Sequence, residues 1–145
     1  GALAGITQYF DNLYRHHFGD SDMGIHQKAV KVFDLVEAHE ANLANQLLDY
    51  LKNRDDIRIL GQDHATPGKR ASTIAFHARG MPSQHIAQKL ADKKIAAGAG
   101  DFYALRCVES LGMDPEDGVV RVSLVQYNTT EEVKKLVQAL DSILP

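Results

Sequence analysis

The sequence predicts an α+β fold: a small, mainly antiparallel sheet with helices packed on one face, plus a long N-terminal helix. Three observations carry this. Apolar residues recur at helical spacing at Ala29, Phe33, Val36, Leu43, Leu47 and Leu51, the pattern of one long amphipathic helix, with His39 and Glu40 breaking the stripe. Three later stretches, IRIL at 57–60, STIAFHA at 72–78 and VVRVSLV at 119–125, alternate instead with a period of two, as half-buried strands do. Between and after them the helical period returns in short runs.

Each element follows from local signals. Leu3, Ile6, Phe10, Leu13 and Tyr14 give a first helix over 2–18, and GDSDMG then punctuates the chain. If the long helix runs from 23 to 52, it measures about 45 Å, longer than the ~38 Å diameter expected of a compact domain of this size. It is expected to overhang its domain and to meet a partner. GQDHATPGK reads as a loop between two strands, and Pro82 is placed as the first residue of a helix whose Ile86, Ala87 and Leu90 line one face. AAGAGDF reads as a flexible or tight backbone passage, YALRCVESLG as a short helix closed by Gly112, and MDPEDG as a turn. Thr129 with Glu132 three residues on forms a capping box for a last helix that keeps Val133, Leu136, Val137, Leu140 and Ile143 on one stripe.

The 145 residues, 44% of them hydrophobic, suffice for one domain burying about 68% of its unfolded surface. Residues 1–54 are expected to form a helical connection and 55–145 an α+β sandwich. Sixteen basic against 19 acidic residues, a net charge of -3, give no footprint for nucleic acid. No apolar run approaches the ~20 residues of a bilayer span, and no basic-then-apolar leader is seen, so neither membrane nor nucleic acid is expected as a partner. The single cysteine, Cys107, excludes an intrachain disulfide and agrees with a cytoplasmic location. The chain opens without Met inside the apolar pattern GALAGITQYF, as expected of a piece of something longer.

Candidate chemistry is sparse. His39-Glu40 begins a zinc-binding HExxH, but Leu43 stands where the second histidine belongs. His16 and His17 are helical neighbours that diverge, and DSDMG and DPEDG lack the spacing and closing Glu of a calcium loop. GAG at 98–100 is too short for a dinucleotide fingerprint. No metal is therefore expected. Cys107, beside Val108 and Leu111, is expected to be a buried packing residue. Arg121 is the exception, a cation inside an alternating apolar strand. Either it faces solvent or an anion meets it.

AGDFYALR and LGMDPEDGVVRVSLVQYNTTEEV resemble the C-terminal small domain of class V aminotransferase-like enzymes, fold-type I pyridoxal phosphate proteins, and within them the cysteine desulfurase-like branch. The likeness extends, less specifically, through STIAFHARGMPSQHIAQKLADKKI and back to the long helix. It implies that Arg121 forms a two-pronged salt bridge with the α-carboxylate of an amino-acid substrate, a match of guanidinium fork to carboxylate. It also sets Tyr103 at the position of the desulfurase catalytic cysteine and Gly98 at that of a second arginine, so a persulfide route is not expected. Tyr103, Gly98 and Arg121 are the candidate substrate-binding residues. Pyridoxal phosphate, by the same resemblance, is held by a large domain absent from this segment, so no cofactor and no catalytic residue are expected here. The parent is expected to be a homodimer. The competing reading is a free-standing α+β ligand-binding or protein-interaction module without catalysis.

Overall fold

The structure, a computed structural model, describes residues 2–145. Two helices come first, α1 (Ala2–Phe18) and α2 (Ile25–Lys52), followed by strands β1 (Ile57–Leu60) and β2 (Thr73–Ala78) and helix α3 (Ser83–Asp92). The short β3 (Gly98–Gly100) and α4 (Leu105–Ser110) precede β4 (Val119–Ser123) and the last helix, α5 (Thr130–Ile143). The strands lie in the order β1-β2-β4-β3, and every neighbouring pair is antiparallel. Strands β2 and β3 therefore run the same way, joined across α3, with β4 inserted between them. This is a split βαβ arrangement.

Alternation along the strands sorts the two faces of the sheet. Ile74, Phe76 and Ala78 of β2 and Val120 and Val122 of β4 point to a helix layer. They pack there with Ala44, Leu47, Leu48 and Leu51 of α2, Ile86 and Leu90 of α3, and Val133, Leu136 and Leu140 of α5. The C-terminal half of α2 thus belongs to the core of the sheet layer. Its N-terminal half pairs instead with α1, where Tyr14 and Val32 are buried and Lys28 Nζ reaches Asp11 Oδ1 at 2.8 Å. Leu3, Ile6, Ile25 and Phe33 of this helical pair remain exposed.

On the opposite face a smaller cluster forms. Val108 of α4, Met113 and Val119 pack with Leu60, Ala75 and Phe102. The capping box of α5 is present, with Thr129 Oγ1 accepting from the Glu132 N–H at 3.2 Å and the Glu132 carboxylate accepting from the Thr129 N–H at 2.9 Å.

Three local expectations are corrected. Pro82 stands just outside α3, its carbonyl accepting the first helical bonds, because its ψ of 140° is not helical. GAG is a strand: its pairing is supplied by β4 and owes nothing to its own side chains. Cys107 is exposed, since a six-residue helix lying on a surface buries one side chain, here Val108.

Candidate functional site

Val120 and Val122 turn towards the helices, so Arg121 and Ser123 of the same strand stand on the other face, both exposed. The cross-strand partners of Arg121 are Ala75 on β2 and Gly98 on β3. Both are small. A long side chain rising between a methyl group and a hydrogen atom is not crowded at its base, so its position depends on what meets it higher up.

Phe102 meets it. The Arg121 guanidinium carbon lies 3.8 Å from the centroid of the Phe102 ring, close stacking contact for a cation on an aromatic face. Gly98 makes the room: a Cβ built there would lie 2.9 Å from two ring carbons of Phe102. Among the described residues no carboxylate comes within ion-pairing distance of Arg121. One face of its guanidinium is covered by carbon and its donors are left for another acceptor.

The backbone after β3 is bent to deliver that ring. Phe102 and Tyr103 have φ of +52° and +62°, two consecutive left-handed residues that are not glycine. The turn is tied by the Asp101 carboxylate, which accepts from the Tyr103 N–H at 3.3 Å, and by the Asp101 carbonyl, which accepts from the Ala104 N–H at 2.9 Å. Tyr103 follows at the tip with its side chain wholly in solvent. The turn before β4 closes on the same loop, because Gly118, at φ +64°, passes so near Gly100 that a Cβ would lie 2.2 Å from its carbonyl carbon. Farther along the face, Thr73 Oγ1 and Ser123 Oγ share a hydrogen bond of 3.2 Å.

Of the three residues expected to bind substrate, Arg121 and Gly98 are direct cross-strand partners, while Tyr103 shares their loop without a hydrogen bond from its side chain to either. Phe102 escaped sequence reasoning. Its only sequence signal is position: an aromatic residue four beyond a glycine on a loop that returns to the arginine strand. His39 and Glu40, which fail as metal ligands in the sequence, have structural partners: His39 Nε2 is 3.0 Å from the Asn128 carbonyl, and Glu40 accepts from Ser72 Oγ at 2.7 Å.

The family model that describes class-V aminotransferases matches residues 28–136, three quarters of the sequence. The chain belongs to the class-V aminotransferase family. Among its relatives is an aminotransferase-like protein of Gibberella zeae, 35% identical over 115 residues, a match spanning 79% of this chain and 29% of that protein. A probable cysteine desulfurase of Pseudomonas putida is 34% identical over 106 residues, covering 73% of this chain and 24% of the relative. The crystal structure of a cysteine desulfurase from Escherichia coli superposes with a TM-score of 0.63 at 27% identity, over 84% of this chain and 26% of that one. This class-V aminotransferase chain therefore spans about a quarter of the length of these three relatives.

Pyridoxal phosphate, the cofactor of class-V aminotransferases, needs a lysine for its aldehyde and a cup of donors for its phosphate. The residues described here do not fit it. None of the four strands nor α4 carries a lysine, so the face that presents Arg121 has none on these elements. The buried Lys28 sits between α1 and α2 with its amine on Asp11 and over the Tyr14 ring. Lys93, Lys94 and Lys135 line an open groove of about 920 Å³ between the end of β4 and α5, whose lining does not include Arg121, Gly98 or Phe102.

Proposed function

We propose that this class-V aminotransferase chain is the C-terminal small domain of a pyridoxal phosphate-dependent enzyme acting on an amino acid, and that it binds the substrate α-carboxylate through Arg121. The observation that carries the reading is the guanidinium of Arg121, without an ion-pair partner among the described residues, exposed on the sheet face, flanked by Ala75 and Gly98 and backed by the Phe102 ring. Two parallel N–H donors on that fork match the two oxygens of a carboxylate and fix its orientation as well as its charge. In the whole enzyme the clamp would hold the substrate α-carboxylate in register for the chemistry.

On this reading the chain is a single domain over 1–145 and is catalytically incompetent alone. The parent is a cytoplasmic homodimer, as the family resemblance implies. Its chemistry is not sulfur transfer by a thiolate on the active-site loop. Tyr103 stands at the loop tip, where a phenol is not an acceptor of sulfur, and the thiol of Cys107 lies on α4 beyond that tip. Exposed as it is, Tyr103 is available for contact with a bound substrate.

Replacing Arg121 with Lys in the full-length protein tests the clamp. Loss of the bidentate geometry should raise KM for the amino acid by about tenfold or more, with a smaller effect on kcat. An unchanged KM would sink the assignment. Titration of pyridoxal phosphate tests the domain reading: a specific lysine adduct is expected in the longer protein and none in the 145 residues, and a stoichiometric adduct here would refute it.

A further inference from the structure

Phe102 serves two features of this face of the sheet. Its ring packs against the small apolar cluster of Val108, Met113 and Val119, and the same ring stacks on the Arg121 guanidinium. Three independent features place it there. The residue opposite Arg121 is glycine, and any Cβ at position 98 would meet the ring at 2.9 Å. The backbone of Phe102 takes a left-handed φ of +52°, a conformation disfavoured for an aromatic residue. The loop is pinned from both sides, by the Asp101 turn and by the close passage of Gly118 over Gly100.

We infer that Phe102 is the positioning residue of the carboxylate clamp, that it holds Arg121 in its binding geometry before ligand arrives, and that Gly98 is required because it makes space for the ring. The inference rests on the carboxylate-binding reading of Arg121. An exposed arginine samples many rotamers, and each ligand that captures it must select one; a ring fixed on its face removes that freedom in advance and strengthens binding. The ring lies against the guanidinium carbon, and among the described residues no hydrogen bond or ion pair occupies the N–H donors of Arg121, so the two parallel donors remain available to a carboxylate. A role confined to packing would be served equally by any apolar side chain of similar size, such as Leu, and would not depend on residue 98.

The experiment is a mutant cycle with calorimetric binding of L-alanine to the full-length protein, and of ethylamine as the same ligand without its carboxylate. Phe102→Leu should weaken L-alanine about 3- to 10-fold, the range of an aromatic contact to a cation, while Phe102→Tyr, which keeps the ring, should bind as the parent does. Gly98→Ala should weaken it at least as much as Phe102→Leu. In a Phe102→Ala background, Gly98→Ala should add nothing, because the ring it collides with is gone. A second readout needs no ligand: in the 145-residue chain the Arg121 Nε–H proton resonance should carry a ring-current shift that disappears in Phe102→Leu. Arg121→Lys separates the two readings. Should it bind L-alanine as tightly as the parent, or should the parent show no preference over ethylamine, the clamp itself is wrong. If Arg121→Lys weakens binding but Phe102→Leu does not, the clamp stands and the positioning role is overturned. Equal, additive losses from Gly98→Ala with and without Phe102 would likewise overturn the role given to Gly98.

Discussion

The carboxylate of Asp117 caps helix α3 from 34 residues away: Oδ1 accepts from the backbone N–H of Ser83 at 2.7 Å, and Oδ2 lies 3.4 Å from the Ser83 hydroxyl. The helix needs this, because Pro82, at its own N-cap, has no side-chain acceptor and Ser83 is fully buried. Negative charge at a helix N-terminus is also favourable against the helix dipole. The bond ties the turn that feeds β4 to the start of α3, hence the strand bearing Arg121 to the layer beneath it. Asp117→Ala should cost about 1–2 kcal/mol, read as a lower urea midpoint with an unchanged slope, and Asp117→Asn should recover part of it. An Ala variant as stable as the parent would show that water caps the helix equally well.

Gly118 is the second point at which the arginine strand is fixed. Alanine there is excluded twice, by the positive φ of +64° and by the backbone of Gly100, 2.2 Å from the added carbon. Neither backbone yields as a flexible side chain does. Gly118→Ala should therefore lower stability by about 1–3 kcal/mol and push β3 away from β4. Amide exchange checks the location of the damage: protection should fall first at Gly98, Ala99 and Gly100. A uniform loss across the sheet would argue against a local clash.

How much of this was legible in the sequence depended on whether side chains or pairing decide the element. The periodic stripes of α1 and α5 and the Thr129–Glu132 box were readable because apolar spacing and a capping side chain are local signals. The start of α2 fell at Ile25, two residues beyond the expected Met23, a frayed boundary that spacing does not set. Strand β3 was invisible because Gly-Ala-Gly carries no alternation, and only the edge of β4 makes it a strand. Arg121 stood out as a charge in an apolar strand. Phe102 did not, since its contact crosses the sheet from a loop whose backbone turn no propensity foretells.

Acid should loosen the molecule through three carboxylates on its rim. Hydrogen bonding from Lys28 holds Asp11 below the usual carboxylate range, that from Arg54 does the same for Asp56, and that from the Asn128 side chain, with the Thr129 N–H, for Glu132. Each folded pKa is depressed, so each contributes stability that is fully present above the unfolded value near 4 and is lost as pH falls through the folded value. The urea midpoint should accordingly drop as pH is taken below about 4. Asp11→Asn should start lower at neutral pH and fall less over the same interval. A parent midpoint that stays level down to about pH 3 would contradict all three assignments.

Arg70 makes the opposite prediction, a charged residue whose removal helps. Its Nε and Nη2 are buried with no hydrogen-bond partner among the described residues, and burial pulls the guanidinium below its ordinary pKa. Glu37 and Glu40 line the same surface hollow, yet neither lies within ion-pairing distance of it, and Glu40 is already engaged by Ser72. Donors taken from water without an acceptor cost more than an apolar group of similar length in the same place. Methionine matches that length and flexibility. Arg70→Met should leave the fold intact and raise its stability by about 1 kcal/mol, measured by urea unfolding at neutral pH. Destabilisation of that size instead would mean that one of the two glutamates closes onto Arg70 in solution. Glu37→Gln and Glu40→Gln, each combined with Arg70→Met, would then identify which one by the loss of additivity.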